Sequence, residues 1–114
     1  MKIKNYNFGK MQIDGQEYTK DLIIWPDEKI QDNWWRKKGH LLQRQDIPKL
    51  LETKPEIVII GTGYFGMMKI DENFRNMLKE NNIKLISHKT GKAVEEFNKI
   101  NFERKIVAAM HLTC

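Results

Sequence analysis

The side chains in this sequence best suited to chemistry are three histidines, His40, His88 and His111, and a single cysteine, Cys114. His111 and Cys114 lie three residues apart, a spacing at which an imidazole and a thiolate could share a metal ion or form a base and nucleophile pair. A strand turns alternate residues to opposite faces, so the two converge only if the strand has ended before Cys114. A zinc site needs three or four ligands, and nothing in the spacing of His40 and His88 brings them to the pair. His111 is therefore expected to be a strand-end histidine satisfied by hydrogen bonds, and Cys114 a small thiol at the margin of the core. No metal and no catalytic residue set is assigned.

A second candidate is backbone chemistry. Gly61-Thr62-Gly63-Tyr64-Phe65-Gly66 matches G-x-G-x-x-G and follows the β-branched run of residues 57–60. That pattern binds a dinucleotide only if its last glycine opens a helix whose amides hold a pyrophosphate, and if an acidic residue ends the next strand to hold the ribose. Here the helix signals begin near Asp71, and the next strand ends in Ile86, Ser87 and His88. The glycines are then read as a tight turn with positive φ and close backbone approach, and no cofactor is assigned. The alternative function is a small-ligand or anion-binding protein, or an enzyme, that uses the Gly61-Gly66 loop with Arg36, His40 or His111 nearby, the amides at Gly61, Thr62 and Gly63 holding a small anion.

The third candidate is Trp34-Trp35-Arg36-Lys37-Lys38, where aromatics beside cations could stack bases and hold phosphates. The chain has 20 Lys and Arg against 15 Asp and Glu, a net charge of +5. Residues 1–57 carry +2 and residues 58–114 carry +3, so the excess is dispersed and points to solubility more than to nucleic acid. Nucleic-acid binding through residues 34–38 stands as the weakest alternative.

The elements that must position these groups are legible from period and punctuation. Residues 10–13 and 16–19 flank Asp14-Gly15, a two-residue hairpin signal, and residues 22–25 form a further strand that Pro26 ends. Residues 27–45 are irregular by pattern. Residues 47–53 are predicted as a short helix with Asp46 as its cap. The continuous β-branched run at 57–60 suits a strand covered on both faces. Asp71 caps a helix with Phe74, Met77 and Leu78 on one face, residues 83–87 form a strand, Thr90 caps a helix with Ala93, Val94 and Phe97 on one face, and residues 105–112 form the last strand. Strands separated by such helices imply right-handed crossovers and a mainly parallel sheet. With 114 residues, 40% hydrophobic and 31% charged, one globular domain spanning 1–114 is expected. The longest apolar run, residues 106–110, is far too short to span a membrane. A single cysteine and a start without an apolar stretch predict a cytoplasmic protein.

Several segments together resemble the small MTH-type adipogenesis-associated domain family, a domain of unknown function. They are Trp35-Arg36 with Gly39-His40, Pro55-Glu56 leading through residues 57–60 into Gly61-Thr62-Gly63, then Gly66, Phe97-Asn98, and the ending Ala109-Met110-His111-Leu112-Thr113-Cys114. The resemblance implies a three-layer α/β domain with a central mixed, mainly parallel, five-stranded sheet and an added N-terminal β-hairpin. Its animal members include a cytoplasmic protein associated with adipocyte differentiation and a mitochondrial assembly factor for respiratory complex I. It supplies no catalytic residue to carry over. What it implies is a protein-interaction, assembly or regulatory accessory domain with a protein partner or a second copy of itself. The surface expected to serve a partner or ligand comprises Trp35, Arg36, His40, Gly61, Thr62, Gly63, His111 and Cys114.

Overall fold

A computed structural model describes residues 1–101 and 103–114. Its strands are β1 (Ile3–Asn7), β2 (Lys10–Ile13), β3 (Gln16–Tyr18), β4 (Leu22–Ile24), β5 (Ile30–Gln31), β6 (Leu41–Leu42), β7 (Ile57–Thr62), β8 (Lys69–Ile70), β9 (Lys84–His88) and β10 (Ile106–His111), with helices α1 (Glu72–Glu80) and α2 (Thr90–Ile100). The central sheet has the order β5-β4-β10-β7-β9. β10, β7 and β9 run parallel, as the alternation with α1 and α2 requires, while β4 and β5 add antiparallel at one edge.

β7 and β10 sit at the centre, and all six residues of each are buried. Side-chain alternation sends Ile57, Ile59, Ile106, Ala108 and Met110 to one face, where they pack with Ala93, Val94 and Phe97 of α2 and with Ile3, Met11 and Ile13 of the N-terminal strands. Val58, Ile60, Val107 and Ala109 face the other way, against Phe74, Met77 and Leu78 of α1, together with Trp34, Leu42 and Leu50. Two apolar faces on one sheet give the three-layer arrangement, which agrees with the fold expected from sequence. Truncating the wholly buried Phe74 would cost about 3–5 kcal/mol.

The structure departs from the sequence expectations in four places. Thr90 is not the cap of α2 but its first residue after Lys89, and its hydroxyl bonds instead with Gly63 and His111. The hairpin at residues 10–19 is part of a three-stranded antiparallel sheet, because β1 pairs with β2 through Ile3↔Ile13 and Lys4↔Gln12. The helix expected at 47–53 is instead a single 3-10 turn at Leu51–Thr53, and a second such turn, Arg44–Asp46, precedes that segment. Ile47 is not helical (φ −132°, ψ 70°), Lys54 is left-handed (φ 48°) just before Pro55, and the amides of Leu50, Thr53 and Lys54 bond to carbonyls three residues back, the 3-10 pattern and not the α-helical one. Within the segment read as irregular, β5 extends the main sheet and β6 pairs with β8. No helix of the described residues is long and apolar enough to cross a membrane.

Candidate functional site

Polar side chains converge where β10 ends. The antiparallel register sets Met110 against Leu22, so Asp21, one residue before β4, falls beside His111. Its carboxylate takes three donors: Oδ2 accepts from Arg36 Nη2 at 2.9 Å and from His111 Nδ1 at 2.7 Å, and Oδ1 from the Leu112 amide at 2.7 Å. Burial alone would raise this carboxyl. The hydrogen bond from His111, the Leu112 amide, the charge on His111 and the hydrogen bond from Arg36 outweigh burial and hold it below the usual range. Because an ionised carboxylate only accepts, His111 Nδ1 carries the proton of that contact.

Arg36 is fixed on three sides. Nε and Nη2 donate to the Gly39 carbonyl at 3.1 and 2.8 Å, and the guanidinium lies 4.5 Å from the centre of the Trp34 ring. Trp34 is itself anchored by its indole N–H on the Asp46 carbonyl at 3.0 Å. The Arg36 side chain is only 4% exposed. Among the described residues, Arg36 Nη1 and His111 Nε2 are buried with no hydrogen-bond partner. Such atoms cost on the order of 1–3 kcal/mol each. The exposed His40 ring stands edge-on to His111, with centroids 5.8 Å apart.

Behind His111, the Thr90 hydroxyl donates to the His111 carbonyl at 2.6 Å and accepts from the Gly63 amide at 2.8 Å. The glycine loop is packed shut. Gly61 lies inside β7, where a Cβ would come within 2.8 Å of Met110 Sδ and of Thr90 Oγ1. Gly63 has φ +109°, and a Cβ there would overlap the Cys114 carbonyl. The amides of Gly63, Tyr64, Gly66, Met67 and Met68 donate within the protein, and the Thr62 hydroxyl donates to the His88 carbonyl. This loop presents no free cradle of amides to an anion or a pyrophosphate.

Of the residues singled out from sequence, the fold brings Arg36, His40 and His111 together. Trp35 is 75% exposed and makes no part of this cluster. Cys114 is a half-buried free thiol at the glycine turn. His88 is exposed at the end of β9, and no three of the described His, Cys, Asp and Glu residues group to hold a metal. Asp21 and Thr90 are site residues that the sequence alone does not single out. The one signal for Asp21 is an acid abutting the apolar run of β4, and it acquires meaning only from the antiparallel pairing with β10.

A second feature borders this end of the sheet. Phe8, in the turn between β1 and β2, and Tyr64 and Phe65, in the loop after β7, form a chain of ring contacts with Tyr6: Tyr6 to Tyr64 at 6.1 Å, Phe8 to Tyr64 at 5.9 Å, Phe8 to Phe65 at 6.0 Å and Tyr64 to Phe65 at 5.1 Å. Both loops are pinned by the final residues of the chain, since Gly9 donates to Leu112, Tyr64 to Thr113 and Met67 to Cys114. Burial raises the Tyr6 phenol to about 12, and its hydroxyl donates to the Leu112 carbonyl at 2.9 Å. A cavity of about 870 Å³ bounded by Trp25, Lys49 and Arg104 lies at the opposite, amino end of the parallel strands, away from the carboxyl ends where such sheets usually bind ligands.

Residues 3–112 match the family described as "Protein of unknown function (DUF498/DUF598)". The chain belongs to this family. Among solved structures it is similar to a conserved hypothetical protein, PH1505, from Pyrococcus horikoshii OT3, with 25% identity and a TM-score of 0.87 over 100% of both chains. It is also similar to MT938, at 24% identity and a TM-score of 0.80, over 99% of this chain and 98% of that one. A third match, titled an outer membrane protein from Bartonella henselae, shares 26% identity with a TM-score of 0.81 over 98% and 94% of the two chains. The MTH-type resemblance read from the sequence agrees with the match to MT938 and with the family.

Proposed function

We propose that this chain is a non-catalytic accessory domain that binds another protein, in an assembly or regulatory role, and that it docks through the aromatic patch. The observation that carries this reading is the patch itself. Phe8, Tyr64, Phe65 and Met67 are 49%, 46%, 61% and 53% exposed; the three rings touch one another and Met67 lies two residues beyond Phe65, whereas isolated surface apolar residues need no explanation and clustered ones do. Aromatic residues and methionine are enriched at the centres of protein interfaces, and rings already braced against each other lose little freedom on binding. Residues 4–10, 62–69 and 87–92, which carry or flank the patch, contain Lys4, Lys10, Lys69, Lys89 and Lys92 and no Asp or Glu. That charge favours a partner whose apolar centre has an acidic rim.

The alternatives gain less support. With Trp34 and Arg36 buried, a nucleic-acid surface at residues 34–38 keeps only Trp35, Lys37 and Lys38, and the engaged amides weigh against an anion on the glycine loop.

The test pairs the wild type with Phe8→Ser/Phe65→Ser in quantitative affinity capture from the native host and in sedimentation. A reproducible partner, or a self-association, that the double variant loses while its melting temperature holds is the expected result. No reproducible partner together with a monomer in solution, or a partner that the variant keeps, overturns the reading.

A further inference from the structure

We propose that Arg36 and His111 form a separate site for a small oxyanion that carries its own proton, of the hydrogen phosphate or bicarbonate kind, and that His40 covers it. Arg36 Nη1 and His111 Nε2 are both buried with no partner among the described residues, on side chains 4% and 6% exposed. Buried polar atoms in folded proteins are nearly always satisfied, so two orphans on touching groups call for an explanation. The groups do touch, since Arg36 Nη2 lies 3.2 Å from His111 Nδ1.

What each orphan needs follows from what its neighbours already use. Nε and Nη2 of Arg36 donate to Gly39 and Asp21, which leaves the N–H groups of Nη1 for an acceptor. Asp21 holds the proton on His111 Nδ1, which leaves Nε2 as the unused ring nitrogen, an acceptor when the ring carries one proton and a donor when it carries two. A ligand that can both accept and donate fills both places in either state of the ring. Hydrogen phosphate, a phosphate monoester bearing a proton and bicarbonate do both, whereas sulfate and chloride only accept.

Position and rigidity agree with a binding role. The pair lies at the carboxyl end of β10, where open α/β sheets place ligands. The guanidinium is held by Asp21, Gly39 and the Trp34 ring, so its free N–H groups are preorganised. Both orphan nitrogens are shut off from solvent, and entry therefore requires a side chain to move. His40 is placed to do so. Its ring is exposed and meets His111 edge-on, while its carbonyl is pinned by the Lys69 amide at 2.8 Å, so the ring can swing away without disturbing the β6 and β8 pair.

The test follows the side-chain nitrogens of His111 and Arg36 by ¹⁵N NMR during titration with sodium phosphate, methyl phosphate or bicarbonate, each at constant ionic strength near neutral pH. A saturable shift of both nitrogens is expected, with sulfate weaker by about tenfold or more, and His40→Ala is expected to bind faster. Which of the three anions binds tightest separates a free ion from the head of a larger phosphate ester. Arg36→Lys should lose the response by a similar factor while its backbone spectrum stays native. If that variant does not fold, the comparison of anions in wild type and His40→Ala carries the test alone. No saturable shift with any of the three anions in either protein, or equal binding of sulfate, overturns the proposal.

Discussion

Replacing Asp21 with Asn keeps the side-chain volume and removes the negative charge paired with Arg36. The Arg36 side chain is 4% exposed and its ion pair to Asp21 measures 2.9 Å, so the variant leaves a buried guanidinium without a counter-charge. Breaking a buried pair from one side costs about 3–5 kcal/mol. Asn can still accept from the Leu112 amide, which places the expected loss toward the lower end, about 3 kcal/mol, or a fall in Tm on the order of 10–15 °C for a domain of this size. The pH dependence gives an independent check. The folded-state pKa of Asp21 is depressed below its ordinary 3.8, so the stability it contributes is fully present above the unfolded-state pKa. That stability is lost as pH falls through the lower, folded-state value. Urea titrations of wild type and Asp21→Asn should therefore differ most near pH 7 and converge only as the pH falls below 3.8 toward the depressed folded-state value. The double variant Asp21→Asn/Arg36→Met should recover part of the loss, because it removes the stranded charge as well. A variant within about 0.5 kcal/mol of wild type at neutral pH, or a difference that does not shrink in acid, would refute the assignment of Asp21 as the counter-ion that holds this cluster.

Three further outcomes are expected. Thr90→Val strands the Gly63 amide and the His111 carbonyl and should destabilise by about 2–5 kcal/mol in chemical denaturation; a loss below about 1 kcal/mol would mean that the hydroxyl bridges nothing of consequence. Gly63→Ala and Gly15→Ala both place an alanine at positive φ, +109° and +86°, a backbone cost of about 1–2 kcal/mol, but only Gly63 has the Cys114 carbonyl where the Cβ would go. Gly63→Ala should therefore lose clearly more stability than Gly15→Ala, and equal losses would show that the chain end is not packed on the turn. Ultraviolet absorbance titration should show one phenol ionising near pH 12, absent in Tyr6→Phe. Because that pKa is raised above the unfolded value, the associated stability is intact below pH 10 and declines as pH climbs toward 12, and an unchanged titration curve in the variant would assign the shift to another tyrosine.

Much of the frame is legible without coordinates because it rests on local periodicity. Residues 57–60 announce a doubly covered strand, and the alternation of Ile57 and Ile59 with Val58 and Ile60 across two cores bears that out. Phe74, Met77 and Leu78 mark the buried stripe of α1, and Ala93, Val94 and Phe97 that of α2. Misreadings occur where local signals are short or conflict, as at residues 47–53, where a plausible cap at Asp46 and the apolar pair Leu50 and Leu51 outweighed the non-helical Ile47 and the stop at Lys54 and Pro55.

The candidate site follows the opposite logic. Sequence alone marks Arg36, His40 and His111 as chemically able residues and the Gly-Thr-Gly turn as a place of close approach. It does not assign Asp21 a role, because a carboxylate 90 residues from its histidine becomes a partner only through an antiparallel edge pairing that leaves no periodic trace. Nor does it show that Phe8 and Tyr64 share a surface, since their two loops meet only where the last three residues of the chain bind both. Hydrophobic period and turn chemistry are encoded within a dozen residues and so determine the layers and most of the strands. The charge cluster and the aromatic patch depend on which strands become neighbours, and that is decided by the packing of the whole chain.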